Sequence, residues 1–365
     1  MKIVLVLDWL DDGGAQIQAL NLAREMHERG MHCMVVALYS AAGRGSCRGV
    51  ETMGLGVPMR AAAFPLAFFR LLSLCRRERP DIVHSHAEAA DLAGRLVSAC
   101  LGLRHFATAH SEYPWHWRRG VGMALERSTA FLTSQYFAVS SAVAVMLREE
   151  LGIPDEKIRM IPNWAPRAGR EANEVPLPRR GVLTLLNVAR LHVQKNQEVL
   201  LSSFREVRKR CPEAVLWMAG SGPEEARLRS LAPEGVMFLG HRNDVPSLLR
   251  AADLFVLSSS WEGMPLSVLE AMREGLPVIS TDVAGIGDII SHGVSGLVVP
   301  RGDAAALAEA ILHCCEDPEH ARRMGDAGQR FVHALEAQGI AAYAETYRGI
   351  AADRPVLSLR NQPGH

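Results

Sequence analysis

Lysine is almost missing from this 365-residue sequence: only Lys2, Lys157, Lys195 and Lys209 occur, and all other basic residues are arginines. Net charge is missing as well, because 40 Lys and Arg balance 40 Asp and Glu. A neutral chain lacks the positive field that a nucleic-acid coat or a polybasic anchor needs, so no nucleic-acid partner is expected. The seven cysteines are odd in number and form no CxxC pair, which fits reduced thiols better than a disulfide framework or a metal site. Long apolar runs are also scarce. The run 3–7 stops at Asp8, short of a signal-peptide core of about 7 to 15 residues. The uncharged stretch 128–147 is broken by Ser128, Thr129, Thr133, Ser134, Gln135, Ser140 and Ser141, so it reads as a helix end, a strand and a new helix rather than a membrane span. A soluble, cytoplasmic protein is the expected class.

What is present is alternation. Hydrophobic residues make up 48% of the chain, enough for large cores and too much for wholesale disorder. At about 150 residues per domain, the length suggests roughly two domains. Short β-branched runs at 3–7, 33–38, 81–84, 105–109, 136–139 and 158–161 alternate with helical segments at 14–29, 64–78, 87–101 and 141–151. Residues 163–180 hold Pro166, Pro176 and Pro178 with little periodicity and read as a linker. The alternation restarts with strands at 182–188, 214–219, 236–239, 254–257, 277–281 and 296–299, and helices at 197–210, 223–231, 246–251, 265–274, 304–315 and from 318 to the high 340s. This is the α/β pattern of two doubly wound lobes facing a cleft, an N-terminal lobe over 1–166 and a C-terminal lobe over 167–344. Ligand loops then follow strand carboxyl ends.

Several of those loops can carry chemistry. After the first strand, Asp11-Asp12-Gly13-Gly14-Ala15 opens a helix; two glycines let the backbone approach a ligand, and a helix start suits an anion. It is not GxGxxG, so a dinucleotide dehydrogenase loses support. His84 and His86 follow the third predicted strand and His110 ends the fourth. His84 reads as a core residue, and His110 as a substrate contact facing the cleft. In the second half Arg190 and Lys195 stand five residues apart beyond a strand; a planar fork and a point charge can together clamp a departing diphosphate. The stretch 252–272 delivers a strand, a loop with Glu262, Gly263, Met264, Pro265 and Leu266, and a helix with Pro265 at its first position and Glu270 in its second turn. Carboxylates there are acceptors for sugar hydroxyls. Residues 282–290, with Gly285, Ile286, Gly287 and Asp288, read as a further strand-to-helix turn suited to phosphate oxygens.

This constellation resembles the retaining, nucleotide-sugar-dependent glycosyltransferases of the GT-B fold, family 4. The resemblance runs over most of the chain and is densest from Arg190 to Pro300, including Gly220-Ser221-Gly222-Pro223, the Glu262/Glu270 pair and Ser295-Gly296-Leu297-Val298-Val299-Pro300. It implies two Rossmann-like lobes, donor mainly on the C-terminal one and acceptor on the N-terminal one, with a last helix near 345–365 returning to the first lobe. By position, Arg190 and Lys195 would hold the leaving diphosphate, Glu270 the ribose, and Glu262 the donor-sugar hydroxyls. His110 would contact the donor sugar, Gly13 and Gly14 would lie near the phosphates, and the stretch 239–245, with Arg242 in it, would border the base, largely through backbone. Gly263, Met264, Pro265, Leu266, Gly285 and Ile286 would complete the donor site. The resemblance implies front-face substitution with retention, with no cofactor and no bound metal, since basic side chains and helix N-termini replace it. Two departures stand out: Asn163-Trp164-Ala165-Pro166 where the family commonly has Asn-Gly-Val-Asp, and Ala284-Gly285-Ile286-Gly287-Asp288 where it has Gly-Gly-x-x-Glu.

The expected partners are a nucleotide-sugar donor and a glycan or lipid-linked acceptor, in cell-surface polysaccharide or glycolipid synthesis. Residues 60–79 set Arg60, Arg70, Arg76, Arg77 and Arg79 against Glu78 beside Phe64, Leu66, Phe68 and Phe69, and Trp115, His116, Trp117, Arg118 and Arg119 form a second basic-aromatic cluster. Such stretches can lie on an anionic bilayer at the inner face of the cell membrane. Alternatively, the apolar residues are a core face and the arginines a solvated one. The rival functions are a nucleotide-sugar epimerase or hydrolase on the same fold, and a non-catalytic sugar-binding protein.

Overall fold

The structure is a computed structural model and describes residues 1–10, 13–47, 49–111, 121–165 and 183–352. In the first lobe, apolar runs buried on both faces form the strands of a largely parallel sheet, as helices on each side require. They are β1 (Lys2–Leu7), β2 (His32–Ala37), β3 (Gly43–Cys47), β4 (Val50–Gly54), β5 (Ile82–Ser85), β6 (Arg104–Ala109), β7 (Gln135–Ala138) and β8 (Ile158–Met160). Their order is β3-β4-β2-β1-β5-β6-β7-β8, with β3 and β4 antiparallel and the other neighbours parallel. Helices α1 (Gly14–Glu28), α2 (Phe64–Glu78), α3 (Glu88–Leu101), α4 (Val121–Thr129) and α5 (Ser141–Glu149) connect them.

The β3/β4 hairpin was not expected from the sequence. β3 reads Gly-Arg-Gly-Ser-Cys, is exposed along most of its length, and has neither the apolar run nor the β-branched residues that mark a strand. Pairing with β4, from Gly43 opposite Gly54 to Cys47 opposite Val50, defines it instead.

The second lobe carries β9 (Thr184–Val188), β10 (Val215–Ala219), β11 (Val236–Gly240), β12 (Leu254–Leu257), β13 (Val278–Thr281) and β14 (Leu297–Val299), all parallel, in the order β11-β10-β9-β12-β13-β14. Its helices are α6 (Gln197–Arg210), α7 (Glu225–Leu231), α8 (Val245–Ala251), α9 (Leu266–Arg273), α10 (Ala304–Glu316) and α11 (Pro318–Ala352). Two local expectations are corrected. Pro265 has extended backbone (ψ 117°) and caps α9 from outside, so Leu266 is the first helical residue. Residues 282–290 enter no helix: successive turns closed by Ile286 N to Val283 O and Ile289 N to Ile286 O run through them, and Gly285 supplies the left-handed backbone (φ +78°) the first turn needs.

α11 bridges the lobes. Ala321 and Met324 pack in the second-lobe core, whereas Ile340, Tyr343, Ala344 and Tyr347 pack in the first-lobe core with Trp164 and Phe137. The return therefore begins at Ile340, ahead of the 345 expected, and residues 353–365 lie outside those described. One apolar cluster also runs unbroken from Ala109, Val143 and Met146 of the first lobe to Met264, Val268, Ile286 and Ile290 of the second. Among the described residues, no helix is long and apolar enough to cross a membrane. The linker positions 166–180, Asp11, Asp12 and the 115–119 cluster lie outside the described residues.

Candidate active site

The strand ends of both sheets meet at a contact between bare backbones. A Cβ on Gly263 would lie 2.0 Å from the His110 carbonyl oxygen and 2.6 Å from Ser111 Cα. Only glycine lets the loop after β12 approach the end of β6 this closely. Behind it, a Cβ on Gly285 would lie 2.2 Å from the Gly263 carbonyl oxygen. From the other side of the first lobe, Gly14 at the start of α1 faces Leu266 at the start of α9, with 3.8 Å between the Cβ position and Cδ1. Gly14, His110, Gly263, Met264, Leu266 and Gly285, drawn from four separate stretches of the sequence, thus line one junction. Gly13 caps α1 without a side chain, and Met264 and Ile286 are buried beneath the junction.

Charge enters from the second lobe. A short turn at 193–195, ended by Asn196 in left-handed conformation (φ 45°), presents Lys195, whose Nζ lies 2.5 Å from Glu262 Oε1. Ser259 donates to the same carboxylate oxygen at 2.7 Å. The supporting loops are stitched together: the Ser258 hydroxyl donates to the Lys195 carbonyl, Gln194 Nε2 to the Trp261 carbonyl, and Ser260 N to the Gln194 carbonyl. Arg190 is exposed, its carbonyl accepts from Gln197 Nε2, and its guanidinium forms no ion pair among the described residues. Gly220 and Gly222 bring a third loop against the backbone of residues 189–191, since their Cβ positions would lie 2.0 Å from the Ala189 and 2.2 Å from the Leu191 carbonyl oxygen.

Other expected residues already have partners within the protein. Arg242 is held bidentately by Asp244, at 2.7 and 2.6 Å, so its guanidinium is already engaged; each partner stabilises the other's charge, and the Asp244 carboxyl is held below its usual range by that hydrogen bond. Glu270 is half-buried on α9 and already has a partner. The departures from the family pattern find structural use between the lobes. Asp288 accepts from Ser141 N (2.7 Å) and Ser141 Oγ (3.0 Å), joining Ser140 in capping α5. Asn163 Nδ2 donates to the Met264 carbonyl, Trp164 is buried against Tyr343, and Arg273 Nη1 donates to the Ala165 carbonyl. Among the described residues, no three His, Cys, Asp or Glu side chains converge to hold a metal ion.

Sequence reasoning assigned no role to Ser259, Gln194 or His86. Ser259 and Gln194 carried no pattern of their own; His86 did, as the second half of His84-Ser85-His86 at a strand end. His84 lies inside β5, bonded to the Tyr347 and Thr108 hydroxyls, and His86 Nδ1 lies 3.0 Å from His110 Nε2 with the rings stacked. Burial holds His84, His86 and His105 well below the usual imidazole range, and brings His110 down to about 4.

Two family models match the chain: one described as Glycosyltransferase Family 4 over residues 12–166, and one described as Glycosyl transferases group 1 over residues 183–317. The 2-deoxystreptamine N-acetyl-D-glucosaminyltransferase of Streptomyces fradiae is 30% identical over 364 residues, covering 85% of this chain and 84% of its own. The UDP-Gal:alpha-D-GlcNAc-diphosphoundecaprenol alpha-1,3-galactosyltransferase of Escherichia coli is 26% identical over 270 residues, covering 68% and 69%. Among solved structures, Anabaena HepE in complex with UDP and glucose superposes with a TM-score of 0.78 at 19% identity, covering 95% of this chain and 99% of its own.

Two outcomes follow from the geometry. Gly263→Ala will force the lobes apart at the His110 carbonyl while leaving each lobe folded. Small-angle scattering should show a larger radius of gyration with unchanged circular dichroism, and turnover should fall about a hundredfold. Acid will also unfold the protein early. Above pH 6.5 folded and unfolded chains both hold these histidines neutral, so they contribute no pH dependence. Below it the unfolded chain takes up protons that the folded chain refuses, so stability falls toward pH 4 by about 1.4 kcal/mol per pH unit for each such histidine. A urea midpoint that stays constant between pH 7 and 5 would overturn this reading.

Proposed function

Because the chain belongs to glycosyltransferase family 4 and has the two-lobed GT-B fold, we propose that it moves a sugar, with retention, from a nucleotide-sugar donor to a lipid-linked glycan acceptor at the junction described above. The observation that carries this reading is the Lys195–Glu262–Ser259 cluster beside the glycine junction. An ammonium has three N–H donors, and the Glu262 contact uses one. The others can meet a diphosphate, whose growing negative charge Lys195 and the exposed Arg190 would balance as the glycosidic bond breaks. Glu262 would accept from a sugar hydroxyl, Glu270 from the ribose, and His110 would face the sugar from the first lobe. In this reading the cations do the work of a metal, and the departing phosphate takes the acceptor proton on the same face.

The donor is proposed to be a UDP-sugar, in line with the donor in the E. coli relative's name and with the UDP bound by HepE. The E. coli relative acts on a diphosphoundecaprenol-linked sugar, and the surface of α2 favours an acceptor of that kind. Leu71, Leu72 and Leu74 are buried, as a core face requires, but Met59, Leu66 and Phe69 stay exposed, as do Arg60, Arg76 and Arg77, the last of them paired with Glu78. Arg70 is not part of that charge; it donates to the Leu55 and Gly56 carbonyls. The exposed set suits an anionic bilayer at the inner face of the cell membrane, where each arginine near the surface contributes about 1 kcal/mol.

A panel of UDP-, GDP- and ADP-sugars offered with lipid-linked and soluble acceptors tests the reaction. A UDP-sugar should be consumed only with acceptor present, and Lys195→Ala should lower kcat/KM about 10²- to 10³-fold with the fold intact. Donor loss without acceptor would indicate a hydrolase, and full activity in both Lys195→Ala and Glu262→Ala would remove the site assignment. Co-sedimentation with anionic vesicles at low salt tests the membrane surface. Wild type should pellet, Phe69→Asp should not, and a wild-type protein that stays in the supernatant refutes the bilayer contact.

A further inference from the structure

Three histidines stack where β5 and β6 end. His84 has both ring nitrogens engaged, Nδ1 with the Tyr347 hydroxyl at 2.5 Å and Nε2 with the Thr108 hydroxyl at 2.8 Å. The His86 ring lies beside it, 4.2 Å between centroids, and His86 Nδ1 lies 3.0 Å from His110 Nε2. His86 is 1% exposed, whereas His110 is partly exposed and its backbone meets Gly263. Two ring nitrogens in this string are buried and have no hydrogen-bond partner among the described residues: His86 Nε2 and His110 Nδ1.

Burial, joined for His86 by the neighbouring imidazoles, keeps His86 and His110 uncharged near neutral pH, so each ring carries one proton. The single N···N contact then allows two arrangements. If His110 donates from Nε2, His86 must hold its own proton on Nε2, leaving an N–H without an acceptor on the enclosed ring. If His86 donates from Nδ1, its Nε2 is a bare lone pair and the His110 proton sits on Nδ1. Each arrangement leaves one buried N–H unpaired, but the second places it on His110, the more exposed of the two rings, at the Gly263 junction. An unpaired N–H is the more costly orphan in a closed interior, so the second arrangement is favoured.

We propose that His86 is a positioning residue that fixes His110 as the Nδ1–H tautomer, making its unpartnered nitrogen a hydrogen-bond donor to an oxygen of the bound sugar. This rests on the proposed contact between His110 and the donor sugar; His86 itself touches no substrate. It also accounts for the histidine at position 86, where a stacked aromatic ring without nitrogens would pack as well but could not set the proton.

Nitrogen-15 NMR of histidine-labelled, nucleotide-free protein tests this directly, with His110→Gln used to assign the signal. The expected result is a protonated, pyrrole-type Nδ1 and a bare, pyridine-type Nε2 on His110. His86→Asn, whose amide N–H can replace the Nδ1 donor, should preserve that tautomer and most of kcat. His86→Ala should give mixed tautomers and a kcat lower by about tenfold or more, with the donor KM little changed. A protonated Nε2 on wild-type His110, or a His86→Ala protein with unchanged spectrum and kcat, overturns the proposal. The spectrum is read without substrate, so a wild type that transfers no sugar would refute the function proposed above while the tautomer result still decides the role of His86.

Discussion

The approach on which the site depends is made where no side chains intervene. Gly263 lies against the His110 carbonyl and Gly285 against the Gly263 carbonyl, so three backbone segments from two lobes stack without a Cβ between them. Everything that faces the junction depends on that spacing. A methyl group at either glycine would displace the β12 loop, and with it Glu262, its partner Lys195, and the start of α9 that faces Gly14. Other interlobe contacts hold the same arrangement from further away, among them Asp288 on the α5 N-terminus, Asn163 on the Met264 carbonyl, Arg273 on the Ala165 carbonyl, and α11 crossing from one core to the other.

The lobes bring opposite electrostatic characters to that junction. The second contributes charges, an ammonium and a carboxylate held together and braced by Ser259, with Arg190 nearby in sequence and exposed. The first contributes uncharged imidazoles, kept so by burial. A wall that offers hydrogen bonds without charge does not compete with the cations for an anionic ligand, and a charged wall opposite it can stabilise charge that develops during bond breaking. The division follows from the fold. The histidines lie on or just past β5 and β6, interior strands of a sheet covered on both faces, where a charged side chain would go unpaired, whereas Lys195 sits on a turn beyond the end of β9, where Glu262 pairs with it.

Much of this was legible beforehand where local chemistry is self-sufficient. The strand runs, the glycine helix stops, the separation into two alternating halves and the loop carrying Glu262 and Gly263 all rest on periodicity and on residues with strong backbone preferences. The β3/β4 hairpin was not legible, because its strand character comes from partners rather than from its own Gly-Arg-Gly-Ser-Cys composition. Residues 282–290 and Pro265 were misread because strand-then-glycine and proline-then-apolar patterns fit a helix start equally well. Only the neighbouring backbone decides between turn and helix.

By itself, the amino-acid sequence determined the fold class, the family and the residue types offered to the site, since hydrophobic period and turn chemistry act over a few residues at a time. The tertiary structure decided how those residues pair. Lys195 with Glu262, Arg242 with Asp244, Asp288 with Ser141 and His86 with His110 join positions that sequence spacing does not associate by chemistry. Even Arg242 and Asp244, two residues apart, were told from a free arginine only by side-chain direction. Such pairings depend on where strand ends converge and on which groups burial deprives of water, and both are properties of the packed whole.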